Sequence, residues 1–476
     1  MRSPRNSSLR LIRALPLALS LLAACSDKLP PLITLPQPPP RNVVFRRVAV
    51  LDVVSGTSRP GLDVLVTDAR IAAIGAHGTL AVPSEAIEVD GSGATLLPGL
   101  VDTHGHVGNA STPAWAGEFP DPERNLQSYL YCGVTTVLDP ADMASEAFER
   151  RGAVAAGKLP GPTIYAAGPM LTAPGGHPIP AIEALAPWWL RWYVKRDATR
   201  IVDSAQDARS TVTELADKAP DFIKLSVDSI PESAPRLRKE LIGAVVDEAH
   251  SRGLRAVAHV GSYADAVDAG QAGIDAFMHM IYKEQISAAQ AATIASFHVP
   301  MVATIGVFES YALMGERKRE PTDLEMQTVP VAELAAFDSV PPGAVSGDFL
   351  RYFELLRSVR RQWHQNLSLL REGGVTILAG SDTQSGVFPG PGLHRELALL
   401  VETGMTPAQA LRAATLEPAR FLTRSDDPDF GTVAVGKRAD LLLVEGNPAF
   451  NISALARIRA VMKNGVLLER HPVANP

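Results

Sequence analysis

Two histidines with the spacing of metal ligands lie in the stretch GLVDTHGHV, where His104 and His106 directly follow an apolar run. In an extended strand, residues i and i+2 point to the same side, so both imidazoles can reach one ion. Gly105 keeps the position between them free of bulk. Because a lone His-x-His pair is a weak signal, its meaning depends on which other residues share its end of the fold.

Three further side chains end predicted strands in the same way. His259 ends the strand in LRAVAHVG, His279 ends the one in IDAFMHM, and Asp382 ends the one in TILAGSDT. In a parallel barrel the carboxyl ends of the strands meet at one mouth, where the active site lies. Four imidazoles and a carboxylate at that mouth form a donor set for a divalent metal. Other histidines are expected on polar surfaces: His77, His250, His298, His364 and His471.

Lys224 is a sixth candidate at the same mouth. It ends a predicted strand in PDFIKLSVD, between Ile223 and Leu225, so its side chain would enter an apolar barrel. A buried ammonium is costly unless it is neutralised or paired. Two interpretations stay open. The amine is carbamylated by CO2 and becomes an anion that bridges two ions, or it pairs with Asp382 or a substrate carboxylate.

The elements that must position these residues are eight apolar strands separated by helical stretches. This alternation predicts an α/β protein with a (β/α)8 TIM-like barrel over residues 97–430. A doubly wound open sheet is the alternative, and the sequence contains no glycine-rich nucleotide motif or P-loop. The predicted strands are Leu97–Thr103, Val134–Leu138, Thr163–Gly168, Phe222–Ser226, Arg255–His259, Ala276–His279, Pro300–Thr304 and Val375–Gly380.

Both chain ends outside the barrel have a β-like pattern. Short apolar runs separated by Gly, Pro and Asp occupy residues 42–96 and 431–476, and Asn464-Gly465 is typical of a hairpin turn. Neither end has enough strands for a stable sheet of its own. We therefore expect the two ends to pair into one small β-sandwich domain.

The first residues indicate export. Residues 1–24 combine four arginines with a short apolar run, as in a secretory signal peptide. The run ends in LAAC, which resembles the lipobox of bacterial lipoproteins and predicts lipidation of Cys25. The alternative is an ordinary signal peptide with an incidental cysteine. Residues 25–41 are rich in proline and predict an extended tether, so the body would lie in the periplasm or outside, anchored to the bacterial cell envelope.

Composition narrows the partners. The formal net charge is −6 and no basic patch stands out, so nucleic acid is excluded as a partner. The expected partners are a small-molecule or dipeptide substrate and, through Cys25, a membrane. A homo-oligomer is left open. Cys132, in YLYCGVTTV, is expected to be a buried structural thiol.

The motifs of the chain resemble the amidohydrolase superfamily, especially its imidazolonepropionase-like and Xaa-Pro dipeptidase-like branch. The likeness extends over nearly everything from about residue 43 onward and implies a metal-dependent barrel with a β-sandwich made from both ends. The supporting stretches are LLPGLVDTHGHV, GVTTV, GKLPGPTIYAAGPMLTAPGGH, FIKL, AGSDT, TPAQALRAATLEPARFL and GTVAVGKRADLLLVEGNP.

The resemblance also implies individual roles. His104 and His106 become ligands of the more buried ion, and Lys224, as a carbamate formed with CO2, bridges it to a second ion. His259 and His279 bind that second ion. The implied cofactor is a pair of Zn2+ ions, with Mn, Fe or Co as alternatives.

The implied reaction is hydrolysis of an amide, cyclic amide or dipeptide C–N bond by metal-activated hydroxide. Asp382 would contact the first ion and carry the proton to the leaving nitrogen. His177, in APGGHP, matches a histidine that lines the pocket in this branch, which implies a substrate-orienting role. The alternatives are a mononuclear metal-dependent deaminase and a surface binding lipoprotein without catalysis.

The sequence departs from the family pattern at two places that border the pocket. The sixth strand ends in FMHMI, where relatives have a Glu-His-Gly-like sequence, and Lys224 is followed by SVDSIPES instead of a glycine-rich turn. The substrate therefore does not follow from the resemblance. The segment IEALAPWWLRWYVKR, after His177, is either a lid over the mouth or a helix packed on the barrel exterior.

Overall fold

Parallel strands whose side chains are buried on both faces form the centre of the protein. The structure is a computed structural model that describes residues 29–314 and 320–475. In the strand Phe222–Ser226 all five side chains are buried. A strand covered on both faces needs such a near-continuous apolar run, which is why these segments are parallel strands packed beneath helices.

The strands are numbered along the chain. They are β1 (Ile33–Thr34), β2 (Asn42–Asp52), β3 (Thr57–Thr67), β4 (Arg70–Ala76), β5 (Ile87–Asp90), β6 (Ala94–Pro98), β7 (Leu100–Asp102), β8 (Val134–Asp139), β9 (Thr163–Ala166), β10 (Met170–Thr172), β11 (Thr199–Ile201), β12 (Phe222–Ser226), β13 (Arg255–His259), β14 (Ala276–Met278), β15 (Met301–Val302), β16 (Ile377–Leu378), β17 (Leu441–Glu445), β18 (Ile458–Lys463), β19 (Val466–Leu467) and β20 (Glu469–Arg470).

The helices lie between and after the parallel strands. They are α1 (Pro122–Tyr131), α2 (Ala147–Ala155), α3 (Ile179–Leu185), α4 (Arg191–Ala198), α5 (Ala205–Ala216), α6 (Lys239–Ser251), α7 (Tyr263–Gln271), α8 (Ala288–Ala295), α9 (Ile305–Leu313), α10 (Asp323–Thr328), α11 (Val331–Ala335), α12 (Gly347–Glu372), α13 (Pro391–Glu402), α14 (Pro407–Ala413) and α15 (Leu416–Thr423).

The parallel strands close into a barrel. One sheet has the order β7-β8-β9 and another the order β11-β10-β12-β13-β14-β15-β16. Two backbone hydrogen bonds join the two sheets, one beside β12 and one after β16. The N–H of Asp221 donates to the carbonyl of Ala166 (2.9 Å), and the N–H of Thr103, after β7, donates to the carbonyl of Ala379, after β16 (3.0 Å). The closed α/β arrangement is the predicted one, and the open doubly wound sheet is excluded.

An apolar layer fills the barrel interior. Nearly every strand contributes one residue to it, and Phe222 and Val257 each lie two residues before a candidate site residue. Because alternate residues of a strand point to the same side, Lys224 and His259 stand directly above this layer. The apolar layer therefore forms the floor of the mouth. Its members include Val101, Leu138, Phe222, Val257, Met278, Val302 and Leu378.

A second sheet is built from both chain ends. Its order is β19-β18-β17-β6-β2-β3-β4, with β5 paired to β2. The central contact is antiparallel pairing of β17 with β6. The β18–β19 hairpin turns at Asn464 and Gly465, which both have positive φ (50° and 78°), as an Asn-Gly turn favours.

The predicted strand Leu97–Thr103 is divided between the two sheets. Ala94–Pro98 pairs with β17, whereas Leu100–Asp102 pairs with β8 in the barrel. The chain changes sheets at Gly99, whose N–H donates to the carbonyl of Asp440 (2.8 Å). A Cβ atom at this position would overlap with the side chain of Thr135, so the passage requires glycine. The sequence pattern did not show the division at Gly99, because the residues on both sides of it are buried and apolar or nearly so.

The helices begin at residues suited to that position. Ser262 caps α7 in a capping box with Asp265, and Thr406 caps α14 in one with Gln409. The capping residue of α7, Ser262, is three residues after His259, so the start of this helix fixes the backbone that follows the histidine. No helix of the described residues is both long and apolar enough to cross a bilayer.

The N-terminal predictions fall largely outside the described residues. The predicted signal peptide and Cys25 lie outside them. Within the predicted tether, Ile33–Thr34 forms β1 and pairs antiparallel with β20, and the N–H of Leu32 donates to Oε1 of Gln127 (2.8 Å). Cys132 is buried, as predicted, and burial raises the pKa of its thiol to about 12.

Candidate metal centre

The residues after the first and last barrel strands meet at one carboxylate. Asp382 Oδ1 lies 3.0 Å from Nε2 of His106 and 3.6 Å from Nε2 of His104. All three side chains are buried. His106 Nδ1 lies 3.0 Å from the carbonyl oxygen of Ala141, a contact that places the proton on Nδ1 and leaves Nε2 free to bind an ion.

The predicted strand geometry of the His-x-His pair is incorrect, although the pair does converge. Strand β7 ends at Asp102, and the two imidazole centroids lie 5.2 Å apart in the turn that follows. Gly105 has the predicted role for a steric reason. A Cβ atom there would overlap with the hydroxyl oxygen of Tyr129 and lie 2.8 Å from Cγ2 of Val137.

His259 and His279 form the other half of the cluster. His279 Nε2 lies 2.9 Å from Nδ1 of His259, and the ring centroids are 4.0 Å apart. The other nitrogen of His279, Nδ1, lies 2.7 Å from the hydroxyl of Thr304. The two nitrogens that face each other are therefore the ones available to a shared ion.

Backbone conformation turns two donors into the mouth. His279 has φ of 115° and Asp382 has φ of 53°, both in the left-handed region that non-glycine residues rarely adopt. Such conformations cost about 1–3 kcal/mol and persist where the surroundings enforce them. His279 directly follows β14, and Asp382 lies four residues after the end of β16, so both conformations occur in turns at the mouth.

Lys224 lies in the same mouth with its side chain fully buried. Among the described residues, none offers its Nζ a hydrogen-bond acceptor. Burial lowers the pKa of Lys224 to about 7, although the Asp382 carboxylate opposes this effect. The direct ion pair with Asp382, which was the alternative to carbamylation, is not formed. A neutral, desolvated amine is the form that reacts with CO2.

The imidazoles are held in the form that binds metals. Burial, followed by the neighbouring positive groups, holds the pKa of His104 and His279 well below the usual value. Burial also lowers the pKa of His259. For His106, the Asp382 carboxylate outweighs burial and raises the pKa. Metal ligation requires neutral imidazole, so three of the four rings are prepared for it at neutral pH.

The donor set fits a metal centre. Ligand atoms of His104, His279 and Asp382 lie within 4.8 Å of one another. Nitrogen-rich sites with a carboxylate suit Zn2+ and related divalent ions. Lys224 adds a buried nitrogen without an acceptor, and a carbamate there would supply the anion that a second ion needs.

A cavity of about 370 Å³ opens over the cluster. His177, His259 and Asp382 line its polar end. The His177 ring lies 4.9 Å from that of His259, and burial holds the pKa of His177 well below the usual value. His177 is thus at the position expected of a substrate-orienting group. The aromatic wall consists of Trp115, Phe308, Tyr311, Phe349, Tyr352 and Phe353.

The aromatic segment after His177 forms α3 and α4 at the rim of this cavity. Glu183, Leu185 and Arg191 line the cavity. Trp188 and Trp192 are exposed at 80% and 68%, so the tryptophans are not packed on the barrel exterior. The segment therefore borders the mouth. This position agrees with the interpretation of the segment as a lid and not with a helix packed on the barrel exterior.

Sequence reasoning missed two supporting carboxylates. Asp102 accepts hydrogen bonds from the N–H of Ser381 (2.9 Å) and of His104 (3.2 Å), and burial raises its pKa to about 6. Asp228 lies 3.4 Å from Nε2 of His259. Asp102 lies two residues before His104 in the stretch GLVDTHGHV, so its position next to a candidate ligand could have indicated a supporting role. Asp228 is four residues after Lys224, within the segment SVDSIPES that departs from the family pattern, but nothing in the sequence indicated that it faces His259.

A closed parallel barrel with polar side chains at the carboxyl ends of its strands is the α/β barrel class of enzyme fold. The sequence profile of the amidohydrolase family matches residues 95–468. The chain belongs to this family.

Three relatives illustrate the likeness. Ochratoxinase of Aspergillus niger is 26% identical over 395 residues, covering 77% of this chain and 73% of the relative. Imidazolonepropionase of Ectopseudomonas mendocina is 27% identical over 416 residues, covering 84% and 90%. A crystal structure of a Xaa-Pro dipeptidase with bound methionine has a TM-score of 0.71 at 24% identity, covering 90% of this chain and 99% of that one. The predicted superfamily and branch are confirmed.

Proposed function

We propose that this protein hydrolyses a C–N bond in a small-molecule amide, cyclic amide or dipeptide, with two divalent ions as its cofactor. The observation that carries the proposal is the convergence of four buried imidazoles, a buried lysine and Asp382, next to a cavity that His259 and Asp382 line. The relatives named ochratoxinase, Xaa-Pro dipeptidase and imidazolonepropionase agree with a hydrolase.

The proposed cofactor uses the two halves of the cluster. His104 and His106 would hold one ion with Asp382. His259 and His279 would hold the other, and Lys224, as a carbamate, would join them. Ions of this kind lower the pKa of bound water to about 7 and polarise a carbonyl oxygen. Zn2+ suits this donor set, and Mn, Fe and Co are the alternatives.

Asp382 and His177 supply the protein's own chemistry. The Asp382 carboxylate faces the cavity, where it can take a proton from the attacking water and deliver it to the leaving nitrogen. His177 stays neutral and can donate one N–H to a substrate oxygen, since among the described residues its Nδ1 has no hydrogen-bond partner. Its role is to orient the carbonyl group for attack.

The aromatic wall indicates the kind of substrate. Phe308, Phe349 and Phe353 line the cavity beside the cluster, together with Trp115. Such a wall stabilises a bulky apolar group by burial, about 25 cal/mol per Å² of apolar surface removed from water. We therefore expect the scissile bond to carry a large apolar or aromatic substituent.

A substrate panel tests the proposal. The metal-reconstituted protein is assayed with N-acyl amino acids, Xaa-Pro dipeptides and cyclic amides, each in a small and an aromatic version. We expect turnover of at least one class, with a higher kcat/KM for the aromatic version. Release of ammonia from an amino-heterocycle by a protein holding one ion would favour the deaminase. Failure with every substrate would favour the non-catalytic binding lipoprotein.

Two further proposals concern the whole chain. We propose lipidation at Cys25, with the body outside the cytoplasm. We also propose residues 42–96 with 431–476 as a β-sandwich domain beside a barrel of residues 97–430. The pairing of β6 with β17 supports a shared sheet between the two chain ends.

A further inference from the structure

One of the two places where the sequence departs from the family pattern contacts the residues that directly follow the other. Asp228 belongs to the segment after Lys224, and Tyr282 and Lys283 belong to the segment after His279. The hydroxyl of Tyr282 donates to Asp228 Oδ2 (2.5 Å), and Nζ of Lys283 lies 2.6 Å from Asp228 Oδ1. These three residues form one cluster, which we call the Asp228 cluster: Asp228, Tyr282 and Lys283.

The Asp228 cluster holds a fully buried carboxylate in its charged form. Asp228 is 1% exposed, and a buried charge is costly unless it is paired and hydrogen-bonded. Lys283 supplies the counter-charge, and Tyr282 supplies a hydrogen bond to the other oxygen. Each carboxylate oxygen of Asp228 thus has one of these two partners.

Gly261 makes room for this carboxylate. A Cβ atom at Gly261 would overlap with the side chain of Asp228. The carbonyl of Gly261 also accepts hydrogen bonds from the N–H groups of Tyr282 (3.0 Å) and Lys283 (3.1 Å). Because Gly261 is two residues after His259, the cluster and this proposed ligand are held by the same short backbone segment.

The carboxylate lies beside the outer nitrogen of His259. Asp228 Oδ2 is 3.4 Å from Nε2, while Nδ1 on the other side of the ring faces His279 at 2.9 Å. A histidine that binds a metal through one nitrogen usually donates its other N–H to a carboxylate or carbonyl. In His259 the carboxylate of Asp228 is the group that faces the outer nitrogen, and Nε2 has no other partner among the described residues.

Tyr352 extends the cluster to the cavity. Its hydroxyl donates to the hydroxyl of Tyr282 (3.1 Å), which in turn donates to Asp228. Both tyrosines therefore direct their protons toward the carboxylate, and Asp228 Oδ2 also faces Nε2 of His259 at 3.4 Å. Tyr352 also lines the substrate cavity.

We propose that Asp228 is a positioning residue that holds the proton of His259 on Nε2 and thereby presents Nδ1 to the second metal ion, with Tyr282 and Lys283 fixing the carboxylate. This inference rests on the proposed function. On this account the carboxylate in one departing segment is neutralised and oriented by the two residues that directly follow the other.

Metal affinity of the full chain tests the inference. Wild type and Asp228→Asn are equilibrated with chelator-buffered Zn2+, and the dissociation constants of both ions are measured. We expect one ion to bind about 10–100-fold more weakly in Asp228→Asn, as supporting groups of metal ligands typically do, while the other is unchanged. The visible spectrum of the Co2+-loaded variant should change for one ion only.

Asp440→Asn is the matched control. Asp440 is also buried and pairs with a lysine, Lys463 (2.9 Å), but it lies in the sheet made from both chain ends. This variant should lose stability and keep both metal affinities. If Asp228→Asn fails to fold, Tyr282→Phe replaces it, with an expected several-fold loss for the same ion.

The outcomes separate this inference from the proposed function. If wild type binds two ions and the Asp228→Asn and Tyr282→Phe variants bind both as tightly, the inference is overturned and the proposed function stands. If wild type binds no metal at all, the proposed function fails and the inference fails with it.

Discussion

The backbone N–H of Asp382 donates a 2.6 Å hydrogen bond to the carbonyl of His104. This contact joins the turn after the last barrel strand, β16, to the turn after the first, β7. The same aspartate places its carboxylate next to the imidazoles of His104 and His106. Closure of the barrel and assembly of the first half of the cluster therefore depend on the same few atoms.

Substitution of Gly105 should disturb this junction. The added methyl group of Gly105→Ala would overlap with the Tyr129 hydroxyl, so the turn that carries both histidines must shift. We expect a loss of about 1–3 kcal/mol in the free energy of unfolding and weaker metal binding. Urea denaturation and a metal titration measure the two effects.

Gly243→Ala is the control for this substitution. Gly243 lies in α6, and no atom lies within 4 Å of a Cβ built there. This variant should be as stable as wild type or more stable, since alanine favours a helix by about 0.5–1 kcal/mol. Equal behaviour of the two variants would contradict the steric role of Gly105.

The mouth was predictable because its residues lie in or shortly after buried strands. Lys224 lies within β12, His259 ends β13 and Asp382 lies four residues after β16, and parallel strands bring their carboxyl ends together. The turn around His104 was predicted as strand because a sequence pattern does not show where the backbone leaves the sheet. The residues that converge could be inferred, whereas their backbone conformation could not.

Lys224→Ala should remove the proposed bridge between the ions. We expect loss of hydrolysis and of metal occupancy, and partial recovery of rate when a short carboxylic acid such as formate is added. Reconstitution of wild type should improve when bicarbonate accompanies the metal. An unmodified Lys224 by intact mass, with no bicarbonate effect, would contradict the carbamate.

Lys463→Ala is the matched control for Lys224→Ala. Lys463 is also buried, with a pKa that burial lowers to about 8, but it pairs with Asp440 (2.9 Å). Its removal should reduce stability and leave metal occupancy at the wild-type value. A comparable loss of metal in both variants would point to a general effect of removing a buried lysine.

Glu396 should make stability depend on pH. It accepts hydrogen bonds from the N–H groups of Ile305 (3.0 Å) and Gly306 (2.8 Å), and burial raises its pKa from 4.5 to about 8. With the folded pKa raised, its stabilising contribution is complete below pH 4.5 and is lost as the pH rises toward 8.

Glu396→Gln should remove this dependence because glutamine does not ionise. At all pH values it loses one hydrogen bond, about 1 kcal/mol. Between pH 4.5 and 8 the free energy of unfolding of the variant should rise relative to that of wild type by up to about 1.4 kcal/mol per pH unit. Denaturation at constant metal concentration measures this difference. Parallel stability curves for the two proteins would contradict the raised pKa.

Cys25→Ala tests the proposed anchor. The expected result is release of the protein from the membrane fraction, because the lipid would have no attachment site. Fractionation and mass analysis of the N-terminus measure it. A variant that stays in the membrane and is processed like wild type would show that the sequence LAAC is not a lipobox.

Contacts between segments that are distant along the chain could not be predicted from the sequence. Asp228 meets Tyr282 and Lys283 only because β12, β13 and β14 are neighbours in the barrel. The cavity wall combines Trp115 with Phe349 and Phe353 at the start of the long helix α12. Apolar residues in a helix predict burial but not the cavity that they border, so the substrate class required the structure.

The metal content of the reconstituted protein tests the central claim most directly. Wild type is loaded with Zn2+ in the presence of bicarbonate, freed of excess metal and analysed by elemental mass spectrometry. We predict two ions per chain in wild type and fewer in His104→Ala, which should stay folded because the residue lies at the mouth and not in the apolar layer. One ion per chain in wild type, or equal metal content in the two proteins, would contradict the binuclear hydrolase.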